Sequence, residues 1–389
     1  MDPTTAWAQR VFRQYYRTNQ VYLPPRFTRR EYGFMFHGGR GMQRHVGFRN
    51  GGELVKHLVE RGPAHAYYST AYYERPGATL MEDKGWLGAD LIFDLDADHL
   101  PDAKGQPFAA LLERVRDETV HVVEEFLLGH FGFEERDLRI VFSGGRGYHV
   151  HVDHPDVHPL EAEARREIVS YVTGNGIDVD RLVRKRAVAK KVVAGRAQFD
   201  ERIEVPRPDE PGWRGLAGRA LEAELRRLAA LEDTPALAEL ESFDGVGPKR
   251  AAEALAALRA GASAKEVVAR LPVAFSRHAI ERAAVAYAGE ADEPVTADVK
   301  RLIRLPGTLH GKSGLRVTPI PLSDLPGFDP LVDAVALPED EVAVEVTKPA
   351  AVALKGEEWK VEPGTRRLPL HAAAWFVLRG AARIPGVAA

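Results

Sequence analysis

Cysteine is absent from the 389 residues of this chain. Its absence excludes disulfides and excludes zinc or iron–sulfur sites that are built on cysteine ligands. Long apolar runs are absent too, and none approaches the roughly 18 residues that a membrane-spanning helix needs. The first residues lack the basic and apolar segments of a secretory signal. We therefore expect a cytoplasmic protein with no membrane contact.

An excess of positive charge is also missing. The chain has 53 Lys and Arg against 56 Asp and Glu, which gives a formal net charge of −3. No overall positive field attracts nucleic acid, so nucleic-acid binding would have to use local basic patches. With 45% hydrophobic and 28% charged residues, the composition is that of a globular protein. The length suits two or three domains, or one large α/β unit with an insertion.

Helix-like and strand-like patterns alternate along residues 1–210. Such alternation predicts an α/β fold with a mixed sheet. Residues 88–98 are apolar on both faces around their middle, which predicts a strand in the middle of a sheet. The other predicted elements are helices at 5–20, 52–62, 107–130 and 160–173, and strands within 31–48, 64–73 and 138–153.

The composition changes near residue 211. Residues 211–288 are rich in Ala, Leu, Arg and Glu at helical spacing, and they predict an all-helical insertion. Strand-like character returns after residue 289, and the tail predicts strands followed by a helix near 370–379. We therefore expect one module in two parts, 1–210 and 289–389, interrupted by a helical subdomain at 211–288.

Two aspartates end the apolar strand "LIFDLDADHL". Asp94 and Asp96 are two residues apart, so on a strand they project from the same face, about 7 Å apart or closer. Paired carboxylates of this kind suit hard cations such as Mg²⁺. A solvated strand end with turn-forming aspartates is the alternative interpretation of so short a motif. A calcium-binding loop is excluded, because His99 and Gly105 stand where such a loop needs its Gly and its Glu.

A glycine-rich turn lies within "SGGRGYHVHV", residues 143–152. Its glycines let the backbone approach an anion closely. Ser143 offers a hydroxyl, Arg146 a planar guanidinium that suits phosphate, and His149 a further donor. The turn predicts phosphate binding, with an ordinary hairpin carrying a surface arginine as the alternative. It lacks the GK[ST] of a Walker loop.

Three further segments are basic or turn-like. The segment "RLIRLPGTLHGKSGL", residues 301–315, could also hold phosphates, or could be a plain basic turn. Seven Lys or Arg lie between Asp180 and Asp200 with no acid among them, which fits either a nucleic-acid track or a solvated basic face. The GVGPKRA sequence at 245–251 is typical of a helix-hairpin-helix that contacts DNA phosphates, although a packing element is the simpler interpretation.

Together these motifs resemble the catalytic small subunit of archaeal and eukaryotic DNA primase. The resemblance is carried by "DLIFDLDADH", "SGGRGYHVHV" and "VTADVKRLIRLPGTLHGKSGL" in that order, and it extends to "REYGFMF" near the N-terminus and to the tail from "FDPLVDAV". It covers nearly the whole chain and is weakest in the helical insertion. The compact length favours the archaeal branch. The fold that it implies is a mixed-sheet primase module with an RRM-like half.

The resemblance also implies the site residues. Asp94 and Asp96 match the metal-binding pair, and the third carboxylate falls by position on Asp292, with Asp298 as the competing candidate. The residues that match the nucleotide-binding positions are Ser143, Arg146, His149, Arg304, His310, Glu31 and Arg44.

The implied reaction is two-metal nucleotidyl transfer with Mg²⁺ or Mn²⁺, which makes short RNA primers, or DNA primers, from nucleoside triphosphates. The implied partners are a primase large subunit and a single-stranded DNA template. Many archaeal members carry a cysteine-rich zinc knuckle after the paired aspartates. Here the corresponding segment, residues 99–119, has no cysteine, so no structural zinc is expected.

Two alternatives stay open on the sequence alone. The chain could be a repair or plasmid primase–polymerase that extends existing ends. It could also be a catalytically inactive nucleic-acid-binding subunit.

Overall fold

The protein divides into two compact units. The fold is taken from a computed structural model, which describes residues 2–99, 103–182, 184–193, 196–289 and 291–385. One unit comprises Met1–Val169 together with Glu290–Ala389, and the other comprises Ser170–Gly289. The second unit starts well before residue 211, where the composition changes, because a short helix and a β-hairpin precede its main helices.

The first unit begins with alternating helices and strands. Asp2 and Asn50 cap the first two helices by accepting hydrogen bonds from backbone N–H groups in the first turn. Gly62 ends the second helix in the left-handed conformation that glycine adopts without strain. The elements, which confirm the predicted order, are α1 (Pro3–Thr18), β1 (Tyr32–Met35), β2 (Gln43–Val46), α2 (Gly51–Arg61), β3 (His65–Ser69), β4 (Ala71–Tyr73), β5 (Trp86–Ala89), β6 (Leu91–Asp96), α3 (Phe108–His121), β7 (Leu138–Phe142), β8 (Gly147–Val152) and α4 (Ala162–Val172).

The second unit contains a hairpin and a group of helices. From residue 213 onward its elements are helices, as the composition predicts. Leu221, Leu225 and Leu228 recur at helical spacing and are buried in the core of this unit. The elements are α5 (Val179–Leu182), β9 (Arg184–Val193), β10 (Arg196–Glu204), α6 (Trp213–Ala230), α7 (Asp233–Glu241), α8 (Pro248–Arg259), α9 (Ala264–Val268) and α10 (Val273–Tyr287).

The chain then returns to the first unit and ends in strands and a helix, as predicted. β13 pairs with β16, and β14 and β15 form a hairpin between them. These elements are α11 (Glu293–Ala297), β11 (Leu302–Arg304), β12 (Thr318–Ile320), α12 (Pro330–Asp333), β13 (Glu341–Val346), β14 (Ala350–Leu354), β15 (Glu357–Val361), β16 (Gly364–Pro369), α13 (Leu370–Leu378) and β17 (Ala382–Arg383).

Two four-stranded sheets form the centre of the first unit. Their strand orders are β11-β3-β1-β2 and β12-β7-β8-β6, and all of these pairings are antiparallel. The sheets contact each other where the rings of Tyr68 in β3 and His151 in β8 lie nearly parallel, with centroids 6.0 Å apart. The expected combination of helices and sheets is confirmed. In the described part of the chain, no helix has the length and apolar character needed to cross a membrane.

The prediction that β6 lies in the middle of a sheet is wrong. β6 pairs only with β8 and forms the edge of its sheet. Its outer edge is covered by the segment that leads into α11, where the backbone N–H of Asp292 donates to the carbonyl of Asp94 at 3.0 Å. The sequence pattern of β6 is that of a central strand because an edge strand that is covered by other chain segments is buried much like a central one.

Candidate active site

A cavity of about 730 Å³ lies where the end of β6 meets the β7–β8 turn and the segment around β11. Seven of the predicted site residues line it, namely Asp94, Asp96, Ser143, Arg146, His149, Arg304 and His310. Glu31, Arg44 and Asp292 are not among its lining residues. The other side chains that line the cavity include Tyr67, Arg301, Lys312, Ser313 and Arg379.

Asp94 and Asp96 enter this cavity from one face of β6. Their side chains are 20% and 32% exposed, so both carboxylates are accessible from the cavity. Nε2 of His149 lies 3.6 Å from Oδ1 of Asp94. Burial, and then the nearby charges of His151, Arg304 and Arg301, lower the pKa of His149 well below its usual range. A neutral imidazole cannot neutralise the charge of the Asp94 carboxylate.

The donor atoms at this end of β6 suit hard divalent cations. Carboxylate oxygens are the ligands that Mg²⁺ and Mn²⁺ prefer in proteins. Asp292 is close in the backbone, since its N–H donates to the carbonyl of Asp94. The carboxylate oxygens of Asp94, Asp96 and Asp292 do not all lie within 4.8 Å of one another, as expected of three like charges. The carboxylates of Asp94 and Asp96 are therefore suited to bind an ion. Asp292, whose backbone is bonded to that of Asp94, is the candidate for a third ligand.

Asp292 and Asp298 lie at opposite ends of the short helix α11. Asp292 occupies the position before its first turn, beside Asp94. Asp298 follows its last turn, is exposed, and accepts a hydrogen bond from the backbone N–H of Lys300 at 2.9 Å. Asp298 therefore caps a turn on the far side of α11 from the carbonyl of Asp94.

The glycine-rich turn packs against both β6 and His310. The Ser143 N–H donates to the Gly147 carbonyl at 2.9 Å, and the Ser143 hydroxyl accepts from the N–H groups of Gly145 and Gly147 at 3.3 Å. Gly144 has φ +74°, and a Cβ there would lie 2.7 Å from Cβ of His310. Glycine is thus required for both the backbone conformation and the close approach.

Arg146 is held by aspartates beside the cavity. Its guanidinium forms an ion pair with Asp98, and its Nε lies 4.0 Å from Oδ1 of Asp96. The side chain is 45% exposed, and Asp98 is 57% exposed. Both partners are therefore accessible to water, where an ion pair is weak and can exchange for a phosphate.

His310 is fixed by the turn that it touches. The Ser313 hydroxyl donates to the Gly144 carbonyl at 2.5 Å, and Nδ1 of His310 lies 3.0 Å from the same hydroxyl oxygen. The Lys312 N–H also lies 3.4 Å from Nδ1 of His310, so two neighbouring residues hold the ring on this side. Burial, followed by the charge of Arg304, lowers the pKa of His310 well below its usual range. An incoming anion would favour protonation of this ring.

Arg304 is positioned by a residue that the sequence analysis missed. Its guanidinium donates to Nδ1 of His65 at 2.6 Å and lies 5.0 Å from the ring centroid of Tyr67. His65 also accepts from the Gly311 N–H at 3.2 Å. Burial, and then the charge of Arg304, lowers the pKa of His65 to about 3, so the imidazole stays neutral and the two donors share the single lone pair of Nδ1. His65 belongs to β3, which pairs with β11, and no local pattern in the sequence indicates that pairing.

Glu31 and Arg44 form an ion pair away from the lining of the cavity. Glu31 is fully buried and accepts from Nε of Arg44 and from the His45 N–H, both at 3.0 Å. The buried Lys84 lies 3.5 Å from the same carboxylate. Burial alone would raise the pKa of Glu31, but the Arg44 hydrogen bond and its other partners lower it. This cluster stabilises the β1–β2 pairing, and a role of Glu31 and Arg44 in nucleotide binding stays a prediction.

A second ionic cluster surrounds Asp90, just before β6. Asp90, Asp153 and His158 are the only group of three possible metal ligands within 4.8 Å in the described residues. Arginines already bind this group, since Arg30 donates to Asp90 at 2.7 Å and Arg139 donates to Asp153 at 2.8 Å. Because these arginines balance the charges of the carboxylates, the cluster forms a structural network in which the guanidinium charges disfavour a further cation.

Arg301, Lys312 and Arg379 complete the positive lining of the cavity. None of the three has a carboxylate within ion-pair distance among the described residues. Arg301 and Lys312 lie inside a motif that the sequence analysis singled out, but Arg379 follows an apolar helix with no such signal.

The remaining basic segments are placed in the second unit. The basic stretch between 180 and 200 runs along the end of α5, β9 and the start of β10, and most of its side chains lie outside the described residues. The GVGPKRA sequence joins α7 to α8, with Gly247 before the first turn of α8. This is the predicted helix–turn–helix geometry, and whether it contacts DNA stays a prediction.

Known proteins match this chain over almost its full length. Residues 93–322 match the family model of the DNA primase small subunit. The protein named DNA primase small subunit PriS of Methanothrix thermoacetophila is 42% identical over 98% of this chain and 99% of its own length. The proteins of the same name from Methanocella arvoryzae and Haloarcula marismortui are each 40% identical, with 98% of both chains covered.

Proposed function

The chain belongs to the DNA primase small subunit family, and we propose that it makes primers through the metal-binding aspartates of β6. It is a nucleotidyltransferase of DNA replication, and its substrates are nucleoside triphosphates and a DNA template. The observation that carries the proposal is the cavity in which Asp94 and Asp96 face the glycine-rich turn, Arg304 and His310. Negative ligands for cations and positive groups for phosphates are brought together there.

Asp94, Asp96 and Asp292 would hold two Mg²⁺ or Mn²⁺ ions. When bound, such ions lower the pKa of the attacking 3′-hydroxyl and stabilise charge on the leaving pyrophosphate. The aspartates contribute carboxylate oxygens, the ligands that such hard cations prefer. Asp292 is favoured over Asp298 because its backbone is hydrogen-bonded to Asp94, whereas Asp298 caps the opposite end of α11.

The cationic side chains would bind and orient the triphosphate. Arg146 exchanges its exposed partner Asp98 for a phosphate oxygen, since a guanidinium binds phosphate through two parallel hydrogen bonds. Arg304, held by His65 and Tyr67, presents its charge without reorganising. His310 takes up a proton when the anion arrives, because a nearby negative charge favours the imidazolium form. These groups neutralise charge on the phosphates as the bond to pyrophosphate breaks.

Glu31 and Arg44 are proposed to border the nucleotide site from β1 and β2. Arg44 is 38% exposed while its carboxylate partner is fully buried, so its outer N–H groups can reach a ligand. A primase large subunit is the proposed partner of this chain, as the family resemblance implies.

The proposal is tested by primer synthesis on single-stranded DNA without a primer. The purified chain is supplied with Mg²⁺ or Mn²⁺ and labelled nucleotides, with the Asp94→Ala/Asp96→Ala variant as its matched control. Labelled oligomers from the wild type alone support the proposal. Extension of a supplied primer without new synthesis favours the polymerase alternative, unless adding the large subunit restores initiation. No incorporation under any of these conditions contradicts a catalytic role.

The third carboxylate is tested by a matched pair of variants. We expect Asp292→Asn to lower kcat by about 10²–10³-fold, which corresponds to about 3–4 kcal/mol of transition-state stabilisation. Asp298→Asn has the same change of charge and size, and should retain activity within about threefold. The reverse result would assign the role to Asp298.

A further inference from the structure

Arg379 enters the catalytic cavity from the C-terminal helix α13. It directly follows α13, whose residues 371–377 are all buried. It lines the cavity together with Asp94, Arg146 and His310. It also lies outside residues 93–322, the part of the chain that the family model matches. The C-terminal segment therefore supplies a cation to a site whose other charged residues come from earlier in the chain.

The guanidinium of Arg379 is held in place by two aromatic rings. Its Cζ lies 3.9 Å from the ring centroid of Trp375 and 4.8 Å from that of Phe108. The two rings are themselves in contact, with centroids 5.4 Å apart and planes at 64°. An arginine stacked on a fixed aromatic surface loses little freedom on binding a ligand, so its charge is oriented in advance.

Arg379 has no negative partner in the described part of the chain. No described carboxylate forms an ion pair with it, whereas Arg383, four residues later, is paired with Glu345 at 2.8 Å. The charged groups that act on it are positive instead. Burial, followed by the charge of Arg146, lowers the pKa of Arg379. The charge of Arg379 in turn contributes to the lowered pKa of His310. Placing like charges together is unfavourable unless an anion binds between them.

The neighbours of Arg379 also indicate where on the anion it binds. Arg304 lies close enough to Asp94 and Asp96 for their charges to act on it, and the α-phosphate must react beside those aspartates. Within the described residues, Arg379 forms no ion pair with Asp94 or Asp96; it is stacked on Trp375 and Phe108, and the charge of Arg146, in the glycine-rich turn, acts on it. It therefore belongs with the groups that bind the phosphates rather than with the ligands of the reacting centre.

We propose that Arg379 binds the terminal phosphates of the incoming nucleoside triphosphate. The inference rests on the proposed function of the cavity and adds one substrate-binding residue to it. The chemistry is that of a stacked guanidinium donating two hydrogen bonds to phosphate oxygens.

The test is equilibrium binding of nucleoside tri-, di- and monophosphates to the wild type and to Arg379→Met. Methionine keeps an apolar stem on Trp375 and removes the charge. We expect the Kd of the triphosphate to rise about 10- to 100-fold, as for the loss of a hydrogen-bonded charge, and the Kd of the monophosphate to change less than about threefold. Arg379→Lys keeps the charge without the planar fork and should lie in between.

Arg383→Met is the matched control, because it removes an arginine of the same segment that is already paired with Glu345. It should bind all three nucleotides like the wild type. Equal losses for tri- and monophosphate, or a loss confined to the DNA template, would overturn the inference. So would unchanged triphosphate binding by Arg379→Met. If the wild type itself binds no nucleoside triphosphate, the proposed function of the cavity fails instead. Thermal unfolding of each variant separates lost binding from lost folding.

Discussion

The two ends of β6 carry aspartates in opposite electrostatic settings. Before the strand, Asp90 is fully buried and binds the fully buried Arg30 at 2.7 Å, with Arg139 at 3.2 Å. After three apolar residues, 91–93, Asp94 and Asp96 reach a cavity and are partly exposed. One end pairs its charges internally, and the other leaves both signs of charge facing a shared space.

This difference separates a structural role from a functional one. Burial alone would raise the pKa of Asp90, but Arg30, His151 and Arg139 hold it well below its usual range. The negative charge of Asp90 is therefore neutralised by arginines within the fold. In the cavity, Arg301, Lys312 and Arg379 have no described carboxylate as a partner, so their charge is available to a substrate. Titrations and substitutions at the two ends should therefore affect different properties.

The largest effect is expected when Asp90 is changed to Asn. The buried guanidinium of Arg30 then loses its anion, and we expect the free energy of unfolding to fall by about 3–5 kcal/mol. Asp96→Asn is the matched change at the other end, and its partly exposed carboxylate should alter stability by less than about 1 kcal/mol. Chemical denaturation of both variants measures the contrast. Equal losses of stability would remove the distinction drawn between the two ends.

Acid is expected to destabilise both ends through buried neutral histidines. Burial is the main cause that lowers the pKa of His151, beside Asp90, to about 4 and that of His65, beside Arg304, to about 3. In the unfolded chain, where the pKa of histidine is near 6.5, both rings take up protons at pH values at which they stay neutral in the folded chain. Stability is therefore lost as the pH falls below about 6.5, by about 2 kcal/mol for each ring between pH 7 and pH 5.

Denaturation at several pH values measures this loss. The Gln variant of either histidine cannot titrate and should show a shallower dependence than the wild type. A wild type whose stability does not change between pH 7 and pH 5 would contradict the buried neutral state of both rings.

The smallest effect is expected when His65 is changed to Leu. Arg304 then loses its hydrogen-bond acceptor, and we expect KM for nucleoside triphosphates to rise about tenfold with a smaller change in kcat. His65→Asn restores an acceptor close to Nδ1 and should recover most of the affinity. His65→Leu could also lower the thermal stability. If His65→Asn restored that stability but not KM, His65 would act on the fold rather than on Arg304.

The sequence predicted the residues whose role is local. Asp94 and Asp96 follow from strand periodicity, and the turn at 143–147 follows from its glycines. His65 could not be found in this way, because it becomes part of the site only when β3 pairs with β11. The edge position of β6 was missed for the same reason, since the segment that covers it lies about two hundred residues later in the chain.

Arg379 shows the limit of motif reasoning most clearly. Its neighbours in sequence are apolar helix residues, and a basic residue after a helix is common because it interacts favourably with the helix dipole. Only tertiary packing places it beside Arg146. The carboxylates and cations of the cavity were therefore predictable in kind, whereas the groups that position them were not.

The residues that line the cavity are spread from Tyr67 to Arg379 along the chain. The strand pairing of Tyr67 with Arg304 joins residues far apart in sequence and closes a loop that contains the whole second unit. Contacts of such high order form late in folding, although the entropy cost of a longer loop grows only logarithmically. During synthesis, the earlier segments emerge without a complete nucleotide site. The lining of the cavity is therefore complete only after the segment that carries Arg379 has been synthesised and has packed in place.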